Sequence, residues 1–294
     1  MPRTGHLALA GAPNVGKSSL LNTLVGSHLS LVSPRAQATR LPVVGIRTEV
    51  ETQYIFHDLP GLLDPKYLLQ ERMLAAAFDT LKRMDVILHL HPAPDAPAPA
   101  LADLLHLTGA PRSFPSRIPS VLVYTKSDLL PQAARKALET DALTVSATTG
   151  TGIPNLLERL RPLLPERPFE RDTDDVGTQP LRFFVTEFLR EAAFEHLDDE
   201  LPYSFTAQVE EFREHAKPVY IRAILYVERE SQKGMVIGQG GTMLKRIGQH
   251  ARGRLEALLG EQVYLDCWVK VAPNWRKSAA KLDEFGIPRT ENGP

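Results

Sequence analysis

GAPNVGKS, residues 11–18, follows the apolar run His6-Leu7-Ala8-Leu9-Ala10 and precedes Ser19-Leu20-Leu21-Asn22-Thr23-Leu24. A buried strand, a glycine turn and a helix form the setting in which G-x-x-x-x-G-K-[ST] acts as a phosphate-binding loop. Backbone N–H groups of Gly11, Ala12, Pro13, Asn14, Val15 and Gly16 (proline excepted) then turn toward phosphate oxygens. Lys17 is placed to reach the β- and γ-phosphates. Ser18 offers its hydroxyl to magnesium at the helix N-terminus, beside Ser19. The stretch predicts a nucleoside triphosphate site.

Three further segments narrow the ligand. Asp58-Leu59-Pro60-Gly61 closes the apolar stretch 53–57, where an aspartate can hold magnesium and the Gly61 N–H can reach a γ-phosphate. The strand-like run 118–124 ends in Thr125-Lys126-Ser127-Asp128. Guanine carries N1–H beside its N2 amino group, so one carboxylate, Asp128, can accept both hydrogen bonds, with the Lys126 stem along the ring. Adenine lacks that pair of donors, and a site built on buried hydrogen bonds rejects such an analogue by about 10⁴–10⁵. After the run 142–145, Ser146-Ala147 stands where a backbone N–H can meet the guanine oxygen. The ordered set predicts GTP and GDP as ligands.

Composition sets the frame. A chain of 294 residues favours two domains. Its 43% hydrophobic content is enough for real cores, while no apolar run nears the roughly 18 residues of a membrane span. The first strand pattern starts close to Met1, so no signal peptide is expected. The single cysteine, Cys267, forms no internal disulfide and points to a reducing compartment, with core packing as its expected role. A net charge of −1 means that any nucleic-acid contact must come from a local patch.

Strands and helices alternate through residues 1–167, predicting an α/β nucleotide domain with a mostly parallel sheet. The proline-rich stretch 92–119 reads as a surface excursion around a helical piece near 101–107. A helix is expected over 156–164. Residues 168–180, charged and rich in Pro and Gly, read as a linker. Residues 181–294 then follow another order: an amphipathic helix over 181–196 with Phe184, Phe188, Leu189 and Ala192 on one face, and strands over 204–211 and 219–228. A short helix over 232–237, Gly238-Gln239-Gly240-Gly241, a helix over 242–259, a strand over 263–271 and a terminal helix over 275–285 complete it. This α-β-β-α-α-β order with G-x-x-G between paired helices is that of a type II KH domain, an α+β fold.

Glycines without Cβ let a sugar–phosphate backbone approach the peptide plane, and a following helix N-terminus favours phosphate. The candidate RNA-binding residues are Lys233, Gly238, Gln239, Gly240, Gly241, Lys245 and Arg246. Over 233–281 the basic side chains of Lys233, Lys245, Arg246, Arg252, Arg254, Lys270, Arg276, Lys277 and Lys281 face only Glu256, Glu261 and Asp266. Single-stranded RNA is the expected partner. Trp268 is expected in the core; Trp275 is left between core and RNA edge.

These segments together resemble the Era family of bacterial GTPases, which carry a KH domain and act in assembly of the small ribosomal subunit. The resemblance spans nearly the whole chain and is weakest over 92–119. Its specific pieces are residues 11–18, 36–40, 58–61, 201–204, 232–248 and 263–271. It implies GTP binding, slow hydrolysis to GDP and recognition of the 3′ end of small-subunit ribosomal RNA on the 30S subunit. It also implies a cytoplasmic protein with a peripheral fraction at the inner membrane face, although no amphipathic anchor is evident; a monomer is expected.

The family pattern assigns Thr39 as a magnesium ligand with Ser18 and Asp58, and Lys17, Thr39 and Gly61 as the catalytic group. Leu62 stands where many GTPases place a water-orienting glutamine, which predicts slow hydrolysis. In related GTPases an asparagine placed like Asn14 helps to bind K⁺, and Asn14 is the candidate here. Thr125 replaces a usual asparagine that braces the phosphate loop, predicting looser nucleotide binding. Gln239 replaces a common lysine in the G-x-x-G loop, predicting a shallower salt dependence. Two function classes stay open: a GTP-driven timer, favoured by Thr39 in a mobile switch, and an RNA-binding factor whose nucleotide is chiefly structural.

Overall fold

A computed structural model describes residues 1–107, 118–287 and 289. The chain divides into two compact units: residues 1–66 with 70–178, and Gln179–Arg289 with Tyr67–Leu69. The part of the 92–119 excursion at 108–117 lies outside the described residues.

The first unit is built on a six-stranded sheet. Its strands are β1 (Arg3–Ala10), β2 (Val43–Glu49), β3 (Thr52–Asp58), β4 (Val86–Pro92), β5 (Ser120–Thr125) and β6 (Leu143–Thr144), in spatial order β2-β3-β1-β4-β5-β6. Only the β2–β3 pairing is antiparallel. Leu7, Ala8, Leu9 and Ala10 of β1 are wholly buried, as a central strand covered on both faces requires. The helices are α1 (Lys17–Val25), α2 (Leu68–Leu81), α3 (Leu101–Leu107), α4 (Gln132–Asp141) and α5 (Ile153–Leu160). α5 starts earlier than the expected 156–164, because Ile153 follows a left-handed Gly152 with Pro154 in the opening turn; a 3₁₀ turn, Arg161–Leu163, finishes it.

β1 lies between β3 and β4 while α1 follows β1, so the loops leaving β1, β3, β5 and β6 gather at one end of the sheet. Such a switch point is where open α/β sheets bind ligands. The segment 165–178 runs along this unit. Thr4 N–H donates to Pro165 O, Gln53 Oε1 accepts from the N–H groups of Glu170 and Arg171, and Ile46 N–H donates to Val176 O.

The second unit begins with α6 (Leu181–His196) and the short α7 (Leu201–Ser204). β7 (Thr206–Arg213), β8 (Val219–Val227), α8 (Glu230–Ile237), α9 (Thr242–Leu259), β9 (Val263–Val271) and α10 (Ala279–Glu284) follow. β7 pairs antiparallel and β9 parallel with the central β8. α6 and α9 pack together, burying Phe184, Phe188, Leu189, Ala192, Ile247, Ala251 and Leu255. The helical turn at Leu201–Ser204 delays β7 by two residues against the expected 204–211. The expected terminal helix splits into a 3₁₀ turn, Trp275–Lys277, and α10, whose N-cap Ser278 accepts from Lys281 N–H.

Trp268 corrects the expectation of burial: it is 59% exposed on the open face of β9. Trp275 is instead in the core, its indole N–H donating to Ser204 O at 2.8 Å. Cys267 is half-buried, and desolvation pushes its thiol up to about 12, so it packs rather than reacts.

Candidate functional site

The phosphate loop closes around Lys17. Its Nζ donates to Ala12 O at 2.8 Å and Gly11 O at 3.3 Å, in a buried position. Burial pushes Lys17 down to about 8 against the attraction of the Asp58 carboxylate. Gly16 has φ 93°, a left-handed geometry that opens α1 directly after the loop. A cation left on two carbonyls at a helix N-terminus is arranged for an anion between them.

Asp58, at the end of β3, is the second focus. Its Oδ2 accepts from Ser18 Oγ at 2.7 Å, Ser30 Oγ at 2.5 Å and Thr39 Oγ1 at 3.3 Å, while Ser18 and Thr39 lie 3.1 Å apart. Its Oδ1 is buried with no hydrogen-bond partner, and burial raises the carboxyl above its ordinary value. A carboxylate with a spare oxygen and two converging hydroxyls is a hard-oxygen donor set, which suits Mg²⁺. Ser30 was not legible beforehand: it lies in a loop at no fixed spacing from either motif. Asn22 holds that loop, its Oδ1 accepting from Leu29 and Ser30 N–H at 2.9 Å each.

Gly61 approaches the loop closely, since a Cβ there would stand 2.9 Å from Pro13 Cγ and 3.0 Å from Pro13 N. Leu62 donates its N–H to Gly11 O at 3.0 Å and sinks its side chain into a core with Ala8, Ala10, Leu59 and Phe78. Asn14, at φ 63°, donates from Nδ2 to Pro34 O at 2.9 Å, so it ties the loop to the 33–39 segment. A cavity of about 500 Å³ has Asn14, Lys17, Ser18, Thr39, Gly61 and Lys126 among its lining.

A second cavity of about 230 Å³ takes its walls from Gly16, Ser19, Thr125, Lys126, Asp128 and Ala147. Gly16, Ser19 and Lys126 line both cavities. Of the pair Ser146-Ala147, expected to offer a backbone N–H to the base, the Ser146 N–H is taken by Thr151 O at 2.9 Å, while Ala147 lines this cavity. The Ala147 carbonyl accepts from Thr23 Oγ1 at 2.9 Å, which anchors this loop to α1. The phosphate and guanine candidates, separated widely in sequence, are brought together.

In the second unit, Gly238, Gly240 and Gly241 all have positive φ between α8 and α9. A Cβ on Gly238 would stand 2.8 Å from Met243 N, so this turn is closed to side chains there. Gln239, Gly240, Lys245 and Arg246 are exposed and Lys233 is half-buried on α8. Thr242 Oγ1 donates to Gln239 O at 3.0 Å, pinning the turn to the start of α9.

A phosphate-binding loop, a hydroxyl-ringed aspartate and a guanine-type pocket on a doubly wound sheet define a P-loop GTPase, joined here to a KH fold. A family model described as a 50S ribosome-binding GTPase matches residues 6–126, and a KH domain model matches residues 200–276. GTPase Era of Carboxydothermus hydrogenoformans is 37% identical over 300 residues, covering 98% of this chain and 99% of that protein. GTPase Era of Thermosipho melanesiensis is 39% identical over 303 residues, covering 97% and 98%. Among solved structures, an Aquifex aeolicus Era variant bound to GDP and AlF4⁻ superposes with a TM-score of 0.88 at 32% identity, over 98% of this chain and 100% of that one. Era in complex with MgGDPNP and nucleotides 1506–1542 of 16S ribosomal RNA gives 0.89 at the same identity and coverage. The chain belongs to the GTPase Era family and is a GTPase with a KH domain.

Proposed function

We propose that this GTPase binds Mg²⁺·GTP, hydrolyses it slowly, and binds single-stranded RNA near the 3′ end of small-subunit ribosomal RNA during 30S assembly. The observation that carries the reading is the pairing on one chain of the Asp58–Ser18–Thr39 oxygen cluster with the Gly238–Gly241 turn flanked by Lys245 and Arg246. Support for the RNA comes from the Era relative solved with MgGDPNP and 16S ribosomal RNA. GTP and ribosomal RNA meet in the cytoplasm, where we place the reaction, with a monomer as the acting form.

Asp58, Ser18 and Thr39 are the residues that would hold Mg²⁺, which neutralises developing charge on the β- and γ-phosphates when bound. Lys17 presents its ammonium to the same oxygens, and Gly61 brings a backbone N–H to the γ-phosphate. Asp128 accepts from guanine, and Lys126 covers the ring. Leu62 is turned into the core and orients no water, so hydrolysis rests on positioning and electrostatics. Thr39 meets Asp58 Oδ2 at 3.3 Å and Ser18 Oγ at 3.1 Å, the place from which a switch threonine would sense the γ-phosphate, and this supports a nucleotide-sensing switch. K⁺ held by the Asn14 amide oxygen would add positive charge beside the phosphates.

Crosslinking in cells followed by sequencing, comparing the native chain with Gly238→Asp, tests this. Reads concentrated at the 3′ end of small-subunit ribosomal RNA and lost in the variant are expected. Scattered reads indifferent to Gly238 would leave a GTPase whose second unit serves another purpose.

A further inference from the structure

The end of α6 and the middle of α9 bring three metal-ligating side chains together in the second unit, apart from the nucleotide residues. Glu195 and His196 close α6, and His250 lies on α9. One ligand atom from each stands within 4.8 Å of the other two. His250 Nδ1 is 3.3 Å from Glu195 Oε2, and the His196 and His250 rings meet edge to face at 5.4 Å. His250 Nε2 is buried with no hydrogen-bond partner. The lone pairs of an imidazole diverge, so Nδ1, the nitrogen that faces Glu195, is the donor to a shared ion, and Nε2 takes no part in the cluster.

We propose that Glu195, His196 and His250 bind a zinc-class divalent ion. Two imidazoles and one carboxylate form a borderline-soft donor set that selects Zn²⁺ over Mg²⁺ or Ca²⁺, which take oxygen. Three protein ligands leave a fourth tetrahedral position open. His196 also lines a cavity of about 280 Å³ with Asp198, Arg229, Gln232 and Met243, which gives a water or small ligand a route to that position. A tetrahedral site with ligands at about 2.1 Å needs donor separations of about 3.4 Å, so the cluster contracts on binding. The Glu195 side chain, 57% exposed, is free to swing for this, while His250 is held at 15% exposure. The ion ties α6 to α9, the helix whose first turn follows the G-x-x-G loop, so it stiffens the RNA-facing element.

The test uses the untagged full chain loaded with Mg²⁺ and GDP, so that the oxygen donors of the nucleotide site are already occupied. Equilibrium dialysis with Zn²⁺ is expected to load about one ion per chain, and Co²⁺ to give the intense visible bands of a tetrahedral nitrogen–oxygen site. His196→Asn and His250→Asn each weaken Zn²⁺ by at least about tenfold, and Glu195→Gln, at an exposed position, weakens it with the fold intact. The thermal midpoint rises with Zn²⁺ in the native chain and not in the variants, while GTP turnover stays the same in all. No Zn²⁺ uptake, uptake equal in native chain and Glu195→Gln, or a pale octahedral Co²⁺ spectrum would overturn the site.

Discussion

Thr125 Oγ1 donates a 2.5 Å hydrogen bond to Val15 O, joining the last residue of β5 to the phosphate loop, with His91 O at 3.3 Å from the same hydroxyl. The strand that leads to the candidate guanine-reading residues Lys126 and Asp128 therefore braces the phosphate loop through a threonine where the family resemblance leads one to expect an asparagine. Thr125 is buried, so its hydroxyl has no water to fall back on. Thr125→Val keeps the shape and strands the Val15 carbonyl. A buried acceptor left unpaired costs about 1–3 kcal/mol. GDP and GTP affinities should fall together by roughly 5–140-fold, with base selectivity unchanged, in a fluorescent-nucleotide titration. Unchanged affinity would mean the brace contributes nothing to the bound state.

Lys17 carries a pH signature. Burial lowers it to about 8 in the free protein, and phosphate oxygens favour its charged form, so nucleotide binding takes up a proton above that pH. The sign follows: affinity is full below about 8 and falls as pH rises, by at most about tenfold per unit, until the higher pKa of the bound lysine is reached. Calorimetry of GDP binding at pH 9 in buffers of different ionisation enthalpy should register proton uptake. A flat affinity between pH 7 and 9 would contradict a lysine poised this low.

Leu62 separates two explanations of the slow hydrolysis proposed above. If only the residue type were at fault, Leu62→Gln would restore a water-orienting side chain and speed turnover. The side chain instead points into the core with Leu59, Ala77 and Phe78, and is 2% exposed. Placing an amide there buries a polar group without partners, at about 2–4 kcal/mol. The expected outcome is a lower urea midpoint with single-turnover hydrolysis no faster than before. A faster rate in a stable variant would show that the 61–62 turn swings toward the γ-phosphate.

The readable parts of this chain are those where contiguous residues must satisfy one backbone geometry. Residues 11–18 and 238–241 are of this kind, since a glycine turn followed by a helix leaves few alternatives. Residues that act through tertiary approach were hidden. Ser30 reaches Asp58 only because Asn22 folds the 28–30 loop back onto α1. Trp268 reads as core by its residue type, yet along β9 it lies with Tyr264, Asp266 and Lys270 on the side opposite Val263, Leu265, Cys267, Val269 and Val271. Tyr264, also exposed, shares its face, and which face of a three-stranded sheet is covered depends on helices elsewhere in the chain. The same partner-dependence hid the Glu195–His196–His250 cluster, whose members come from two helices that meet only on folding.

Asn14 supplies the last test. Its Nδ2 is committed to Pro34 O, which leaves Oδ1 as the atom able to hold a monovalent cation in the cavity it lines. A cation there adds charge where the transition state accumulates it, and losing one such stabilising group costs at least about tenfold in rate. GTP turnover measured at equal ionic strength should be slower by about that factor in Na⁺ than in K⁺. Asn14→Ala should bring both salts to the slow rate while Mg²⁺·GDP binding persists. Equal rates of the native chain in K⁺ and Na⁺ would confine Asn14 to bracing the 33–39 segment, with hydrolysis carried by Lys17, Mg²⁺ and backbone N–H groups alone.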